Sequence, residues 1–505
     1  MVEDVSSSSA DKENTDIEKA KSHATSVHIP HTIFSLNEIR FMVFILTFAA
    51  IFSPISSTIY YPALGSVAEE LQVSDTLVNL TITTFMIFQG LAPAFIGAFA
   101  DAEGRRPAYL ICFLVYIAAN IGLALQSNYA ALLVLRCVQS SGSSGTVALA
   151  SAVVADISTP SERGRWMGWA NAGALLGPAI GPIIGGVLAQ YLGWRSIFWF
   201  LTIFAGVYLI PILLFFPESC RAVVGNGSHR PPKWNSCLLD PSLQKRIDAD
   251  PSIVGPPIPP HSLRFPNPIK TLAVLFEKEA GMILISTGIL FAGYYGLMAG
   301  LPSQLEANYG FDSLHIGLCF IASGAGGSIA ALVTGRLMDY NFRRHARKLG
   351  LDASDTRRLR TLSSFPIEAA RIEIALPFIL LGAATMLVFG WVMRFKTNLS
   401  GPIILLFFIG ACTTGAFTIL ASLTVDLFPE KPATATAASN MTRCWLGAAA
   451  TAIVVPMVNA LGTGWTYTIV AGLWLALCPA LWIVIKVGPR WRREKEERAK
   501  EREAR

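Results

Sequence analysis

Arg136 is the residue from which chemistry in this chain can first be argued. It stands in an apolar stretch, 130–155, long enough to cross a hydrocarbon core. An arginine in mid-span costs roughly 2.5–3.5 kcal/mol on insertion scales, so something must offset it. Gln139, Ser140 and Ser143 follow at i+3, i+4 and i+7, which puts all four on one helix face. That stripe reads as the wall of a hydrated cavity, where the guanidinium contacts an anionic solute or takes part in proton coupling. The competing reading is that Arg136, about two turns from a helix end, snorkels to the surface. Three further stretches carry stripes of the same kind. They are Ser53, Ser56, Ser57 and Tyr60, with Pro54 as a bend; Tyr294, Tyr295 and Met298; and Thr413, Thr414 and Phe417. Taken singly, each of these residues serves equally well as hydrogen-bonding glue between helices.

A second group concerns movement rather than binding. The segment GAFADAEGRRPAYL (97–110) places Gly97, Asp101, Gly104, Arg105 and Arg106 between two apolar runs. Charges cannot rest in lipid, so they mark a membrane surface. Asp101, Arg105 and Asp156 are expected to form a charge-paired latch that stabilises one facing of the molecule. Exposed pairs are individually weak, but a switch needs only a small bias between two states. The spacing recurs as Gly335, Asp339 and Arg343, which suggests an internal duplication. Gly173, Gly177, Gly181 and Gly185 repeat every fourth residue, with Pro178 and Pro182 between them. Small residues at that spacing make a flat face for close helix packing. The sharper expectation is a pivot at an interface between two halves.

The elements that must position these residues follow from hydropathy. The chain has 505 residues, of which 52% are hydrophobic, and a mean hydropathy of +0.49. Twelve apolar runs reach span length, near 41–60, 78–99, 108–126, 130–155, 166–189, 195–216, 274–300, 314–338, 372–393, 401–424, 434–460 and 465–487. The fold class is an all-α polytopic membrane protein, with 12 transmembrane helices in two six-helix bundles. The expected organisation is a disordered cytosolic tail (1–38), a first bundle (39–216), a cytosolic linker (217–271), a second bundle (272–488) and a charged cytosolic tail (489–505). No cleavable leader is expected, so the first span directs insertion. Connectors near 61–75, 127–130, 301–313 and 461–464 contain no Lys or Arg, whereas the segment between the eighth and ninth runs and the tail are rich in both. That bias places both termini in the cytosol. It also explains the net charge of +6 without nucleic acid.

Other classes find no support in the residues. Eight cysteines are scattered through spans and one loop, as free thiols rather than a disulfide framework. There is no P-loop for ATP, no His/Cys/Asp spacing for a metal and no nucleophile–base pair, so no enzyme, cofactor or metal is expected. No carboxylate falls well inside a predicted span. This disfavours cationic solutes, which call for a buried negative partner.

The pattern Gly97…Asp101…Gly104-Arg105-Arg106 resembles the loop 2–3 signature of the major facilitator superfamily. LRCVQSSGSSG (135–145) resembles its span-four motif, and GALLGPAIGPIIGG (173–186) the span-five motif of its drug:proton antiporters. FSPISSTIYYPAL, NLTITTFMIFQGLAP, RSIFWFLTIF, PESCRAVVGNGS, FPIEAARI and NMTRCWLGAAATAIVVPMVNALG resemble the fungal twelve-span quinidine-resistance type, a group with citrate-exporter-like members. Phe99 and Ala102 depart from the usual pattern, which implies a thinner latch. The resemblance implies that spans one, four, seven and ten line a central cavity and that Arg136 has a coupling role. It also implies proton antiport, since the residues alone do not show it. The resulting expectation is a monomeric plasma-membrane exporter of a small organic acid, secondary metabolite or drug, driven by the proton gradient. An uptake carrier or uniporter of the same fold is the alternative, and a non-transporting sensor a third reading.

Overall fold

The computed structural model describes residues 31–159, 162–239, 274–350, 365–428 and 432–503. The first half comprises α1 (Leu36–Thr58), α2 (Asp75–Glu103), α3 (Arg105–Leu125), α4 (Tyr129–Ile157), α5 (Arg163–Leu192) and α6 (Arg195–Phe215). The second half comprises α7 (Lys278–Tyr309), α8 (Ser313–Lys348), α9 (Ile367–Arg394), α10 (Ser400–Leu427), α11 (432–461) and α12 (463–503). Ten stretches pass as spans on length and composition alone. Arg136 and the serines after it leave α4 outside that set, and α11 and α12 count there as one stretch. With those two adjustments the described residues hold twelve spans.

Local chemistry sets the helix ends. Ser35 and Glu38 form a reciprocal capping box that starts α1 at Leu36, inside the segment expected to be a tail. Gly104 ends α2 at φ +119, a backbone region that favours glycine, and lets Arg105 open α3 at once. Gly462, at φ +79, reverses the chain between α11 and α12. On one side of it, positions 442 to 454 follow α7 from Gly288 to Gly300. On the other, Tyr467 meets Gln304 and Trp474 meets Gly293, which runs the opposite way.

Several boundaries differ from the hydropathy reading. α8 spans 36 residues, about 54 Å at 1.5 Å per residue, so it projects well beyond a hydrocarbon core. α12 continues without a break into the charged tail. Of the expected linker, residues 217–239 fold onto the first half: Leu238 and Leu239 donate to the Leu213 and Leu214 carbonyls. Residues 240–271 of that linker, and residues 1–30 of the first tail, lie outside the described residues.

Each half has its own aromatic core. In the first, Phe52 stacks on Phe204 and meets Phe113 and Tyr116 edge-on. In the second, Phe389 meets Tyr467 edge-on beside the buried Trp474. The halves join along two seams, α2 with α11 and α5 with α8.

Candidate functional site

The stripe around Arg136 is buried, and its polar groups divide into two kinds. Arg136 is 0% exposed and lies between two rings, 4.6 Å from the Tyr60 centroid and 4.4 Å from that of Phe85. Its Nη1 donates to Gln139 Oε1 (2.7 Å) and to the Ser56 carbonyl (3.3 Å). Its Nε and Nη2 have no partner. The neighbours are mostly satisfied by other helices. Gln139 donates to Asn120, Ser140 to the Phe85 carbonyl, and Ser56 shares a 2.6 Å bond with Tyr116. Ser143 donates to the Ser140 carbonyl, and Ser53 accepts from Gln89. Gln139, Ser140, Ser53 and Ser56 therefore hold the bundle together and Ser143 is satisfied within its own helix, while Arg136 keeps unused hydrogen-bonding capacity. Snorkelling is overturned, because a guanidinium with no exposed surface has not reached the interface.

The second half supplies a counterpart that the stripe reading missed. Arg443 of α11 lies 5.0 Å from the Phe291 centroid and 5.2 Å from that of Phe417. Its Nη2 donates to Asn440 Oδ1 at 2.8 Å, and its Nε has no partner. Asn440 in turn donates to the Gln89 carbonyl across the α2–α11 seam. Phe291 also meets Tyr295 at 5.4 Å, and Tyr295 meets Tyr294 at 6.0 Å. Phe417 is thus a wall of the Arg443 site. Met298 is buried, and Thr413 is buried with an unpartnered hydroxyl. Ser57 is likewise buried. Thr414 faces Gly327 of α8, and Tyr294 bonds Ser323 of α8 at 3.0 Å, so both brace helices within the half. Among the described residues no carboxylate pairs with either guanidinium.

The seams close one end of the molecule. Thr83 bonds Thr451 at 3.0 Å, Tyr61 stacks on Phe320, and Gly186 and Gly317 pack on Ser313 and Pro182. All lie in the portion that carries the α1–α2 and α7–α8 turns. Toward the other end, Gly97 and Gly335 have no atom within 4 Å of where a Cβ would stand.

The glycine stripe of α5 is a correction. Gly173, Gly177, Gly181 and Gly185 press against Thr47, Pro54 and Thr58 of α1 and its cap residue Ile59, within one half. Each leaves no room for a Cβ, so close packing is right. The pivot reading of that stripe is not, because the seam uses another face of α5, through Ala179, Pro182 and Gly186. Pro178 and Pro182 are both accommodated inside the helix.

The corner at the α2–α3 break is tied within the first half. Arg105 pairs with Asp101 and, through Nε at 2.8 Å, with Asp156. The backbone N–H groups of Arg105 and Arg106 donate to Glu218 at 2.9 and 3.1 Å, as do those of Ser219 and Cys220. Glu218 was missed as a site residue. Burial pushes its carboxyl above the usual range, against the pull of those four donors. Arg106 also donates to the Leu213 carbonyl. The expected counterpart, Gly335, Asp339 and Arg343, is arranged differently. Those residues lie on an unbroken α8, with Asp339 and Arg343 exposed. The ion pair in the matching place is Arg371 of α9 with Asp426 of α10, at 3.0 Å, with both side chains under 5% exposed.

Two six-helix halves, joined along two seams and carrying a buried guanidinium at Arg136 and a half-buried one at Arg443, neither paired with a carboxylate among the described residues, define a transporter of small solutes that spans the membrane many times. The chain belongs to the Major Facilitator Superfamily, which residues 46–452 match. It is 46% identical to MFS-type transporter phiD of a fungal species over 94% of this chain and 72% of that one. It is 43% identical to MFS-type transporter tstD of Talaromyces stipitatus, over 94% and 87%. It is also 38% identical to Citrate exporter 1 of Aspergillus niger, over 93% and 90%. Among solved structures, a partially occluded inward-open xylose transporter XylE from E. coli shares the fold, at TM-score 0.62 and 13% identity over 88% of this chain and 97% of that one. The chain is a membrane transporter of that superfamily, similar to fungal MFS-type transporters, and not an enzyme.

Proposed function

We propose that this transporter exports a small organic anion, an organic acid or acidic secondary metabolite, by alternating access against proton entry at the plasma membrane. The observation that carries the reading is Arg136, a fully buried guanidinium with two nitrogens unpartnered and, among the described residues, no carboxylate beside it. A buried charge of this kind is costly unless something of opposite sign completes it. An anionic solute does so, and a cationic drug would make it worse. Arg443 provides a second cationic contact between Phe291 and Phe417. The aromatic rings around both arginines suit a ligand with apolar surface as well as acid groups. The citrate exporter among the relatives supports the same class. With the basic loops in the cytosol, the seams close the outer end, so this facing receives solute from inside. The working unit is one chain with both termini cytosolic.

The test is uptake into inside-out vesicles, with carboxylates competed against cationic dyes at two external pH values. Carboxylates are expected to compete and dyes not to. Arg136→Gln and Arg443→Gln should each cut uptake at least about tenfold, or 1.4 kcal/mol of lost stabilisation, at normal surface levels. Preferential dye transport, or unchanged uptake in both variants, would overturn the anion reading.

A further inference from the structure

The end of α8 that runs beyond the hydrocarbon core carries three arginines in one column. Arg336, Arg343 and Arg347 stand at i, i+7 and i+11, which a helix places within about 40° of one another. All three are exposed, and among the described residues none has an ion-pair or hydrogen-bond partner. The nearby acids do not neutralise them. Glu373 of α9 is taken from the buried side, by His345 at 3.0 Å and Asn341 at 3.4 Å. Asp339 is exposed at the edge of the column. Arg344 reaches the other way, to Asn341 at 3.5 Å, with exposed Lys348 on its side of the helix.

The rest of that face shows what the column meets. Gly317 and Gly324 turn toward α5, through Pro182 and Ala179, and Gly326 and Gly327 toward α10, through Phe407 and Thr414. At about 100° per residue the arginine column points away from both neighbours. Further back along the helix the same face presents Ile329 and Leu332, the latter 76% exposed, a surface suited to lipid tails. Tyr340, 70% exposed, stands between Arg336 and Arg343, as an amphipathic ring does at a membrane interface. One line on α8 thus passes from apolar to aromatic to cationic. Topology alone asks for positive charge in this segment, but not for its alignment with the lipid-exposed side chains.

Length then selects the headgroup. Arg336 to Arg347 spans about 16 Å along the helix, whereas the headgroup layer of one leaflet is about 5–7 Å deep. A compact anionic headgroup meets one level of the column; an inositol ring bearing its own phosphate reaches a second. Guanidinium forks match phosphate oxygens two at a time. We propose that this face of α8 binds a phosphoinositide, with Arg336 at the diester phosphate and Arg343 and Arg347 at the ring phosphate. Its placement in the inner leaflet rests on the membrane orientation given above; the binding does not.

The experiment titrates the detergent-purified full chain with a fluorescent short-chain phosphatidylinositol monophosphate. It is competed with phosphatidylserine of the same chain length and with free inositol bisphosphate. Basic residues near an anionic lipid surface contribute about fivefold in affinity each, so Arg343→Gln should weaken binding by about that factor and the triple Arg336/Arg343/Arg347→Gln variant by about a hundredfold. Arg165→Gln, an exposed arginine at the same end of the first half, should leave binding unchanged. Binding in the triple variant equal to wild type overturns the proposal, and if that variant fails to fold, the three single variants decide it. Phosphatidylserine competing equally would remove the ring phosphate from the site, and inositol bisphosphate competing equally would make it a site for a soluble anion; either result overturns the proposal. A lost phosphoinositide response together with basic loops found outside the cell would overturn both readings, whereas retained binding with that topology would overturn the orientation alone.

Discussion

The same corner is built twice in this molecule, and the two versions are finished differently. In the first half, Arg105 is shared by an exposed Asp101 and a partly buried Asp156, and the neighbouring buried carboxylate, Glu218, takes four backbone N–H groups. In the second, Arg371 and Asp426 form a fully buried pair, and the neighbouring buried carboxylate, Glu368, has no well-aligned donor. The first corner is a satisfied brace; the second leaves a buried carboxyl without a hydrogen-bond donor. Equivalent positions in the two halves are thus closed by different means, a backbone cap in one and a buried ion pair in the other.

Removing one partner of the second-half pair should show the largest effect. Arg371→Ala breaks the buried pair with Asp426 and should cost about 3–5 kcal/mol. Arg343→Ala, on the exposed surface of α8, should stay within about 0.5 kcal/mol. Thermal unfolding in detergent measures both, and equal losses would restore Asp339 and Arg343 as the counterpart of Asp101 and Arg105. A smaller effect is expected at Glu218. Glu218→Ala should cost about 2–3 kcal/mol by leaving buried N–H groups without their charged acceptor, against at most about 1 kcal/mol for Asp101→Ala. If Asp101 proved the more costly, the brace would be an ion pair rather than a cap.

The smallest effect separates surface charge from corner charge. Glu70 pairs with Arg195 at the opposite end, and that hydrogen-bonded partner lowers its carboxyl below the usual range. A depressed carboxyl contributes stability above its unfolded value, near 4.5, and loses it as pH falls through the lower folded one. Glu70→Gln should therefore cost about 0.2–1 kcal/mol at pH 7. The difference from wild type should vanish at the acid end of the same melting series.

Much of this was legible in the chain. Hydropathy places all twelve spans, and the i, i+3, i+4, i+7 pattern around Arg136 selects the one buried cation in α4. What spacing could not report is the partner. Four glycines in register announce a close approach, but the sequence does not say whether α1 or the other half makes it. Gly-xxx-Asp-xxx-Arg reads alike on both sides, yet only the first copy is followed by a break, because Gly104 takes a positive φ and α8 runs straight on. Arg443 escaped although Thr436, Ser439 and Asn440 lead up to it at the spacing that singled out Arg136, because the stripe was not read in α11. Glu368 escaped because it stands four residues before the hydropathy boundary at 372, and it becomes an interior group only when α12 folds over it.

The reversal at Gly462 limits how this protein can be handled. Two helices turn about a single residue there, with Arg394 close behind it, so the loop is too short for a protease to grip or an epitope to enter. Probes for that face belong between α9 and α10, around 395–399, where the chain is exposed.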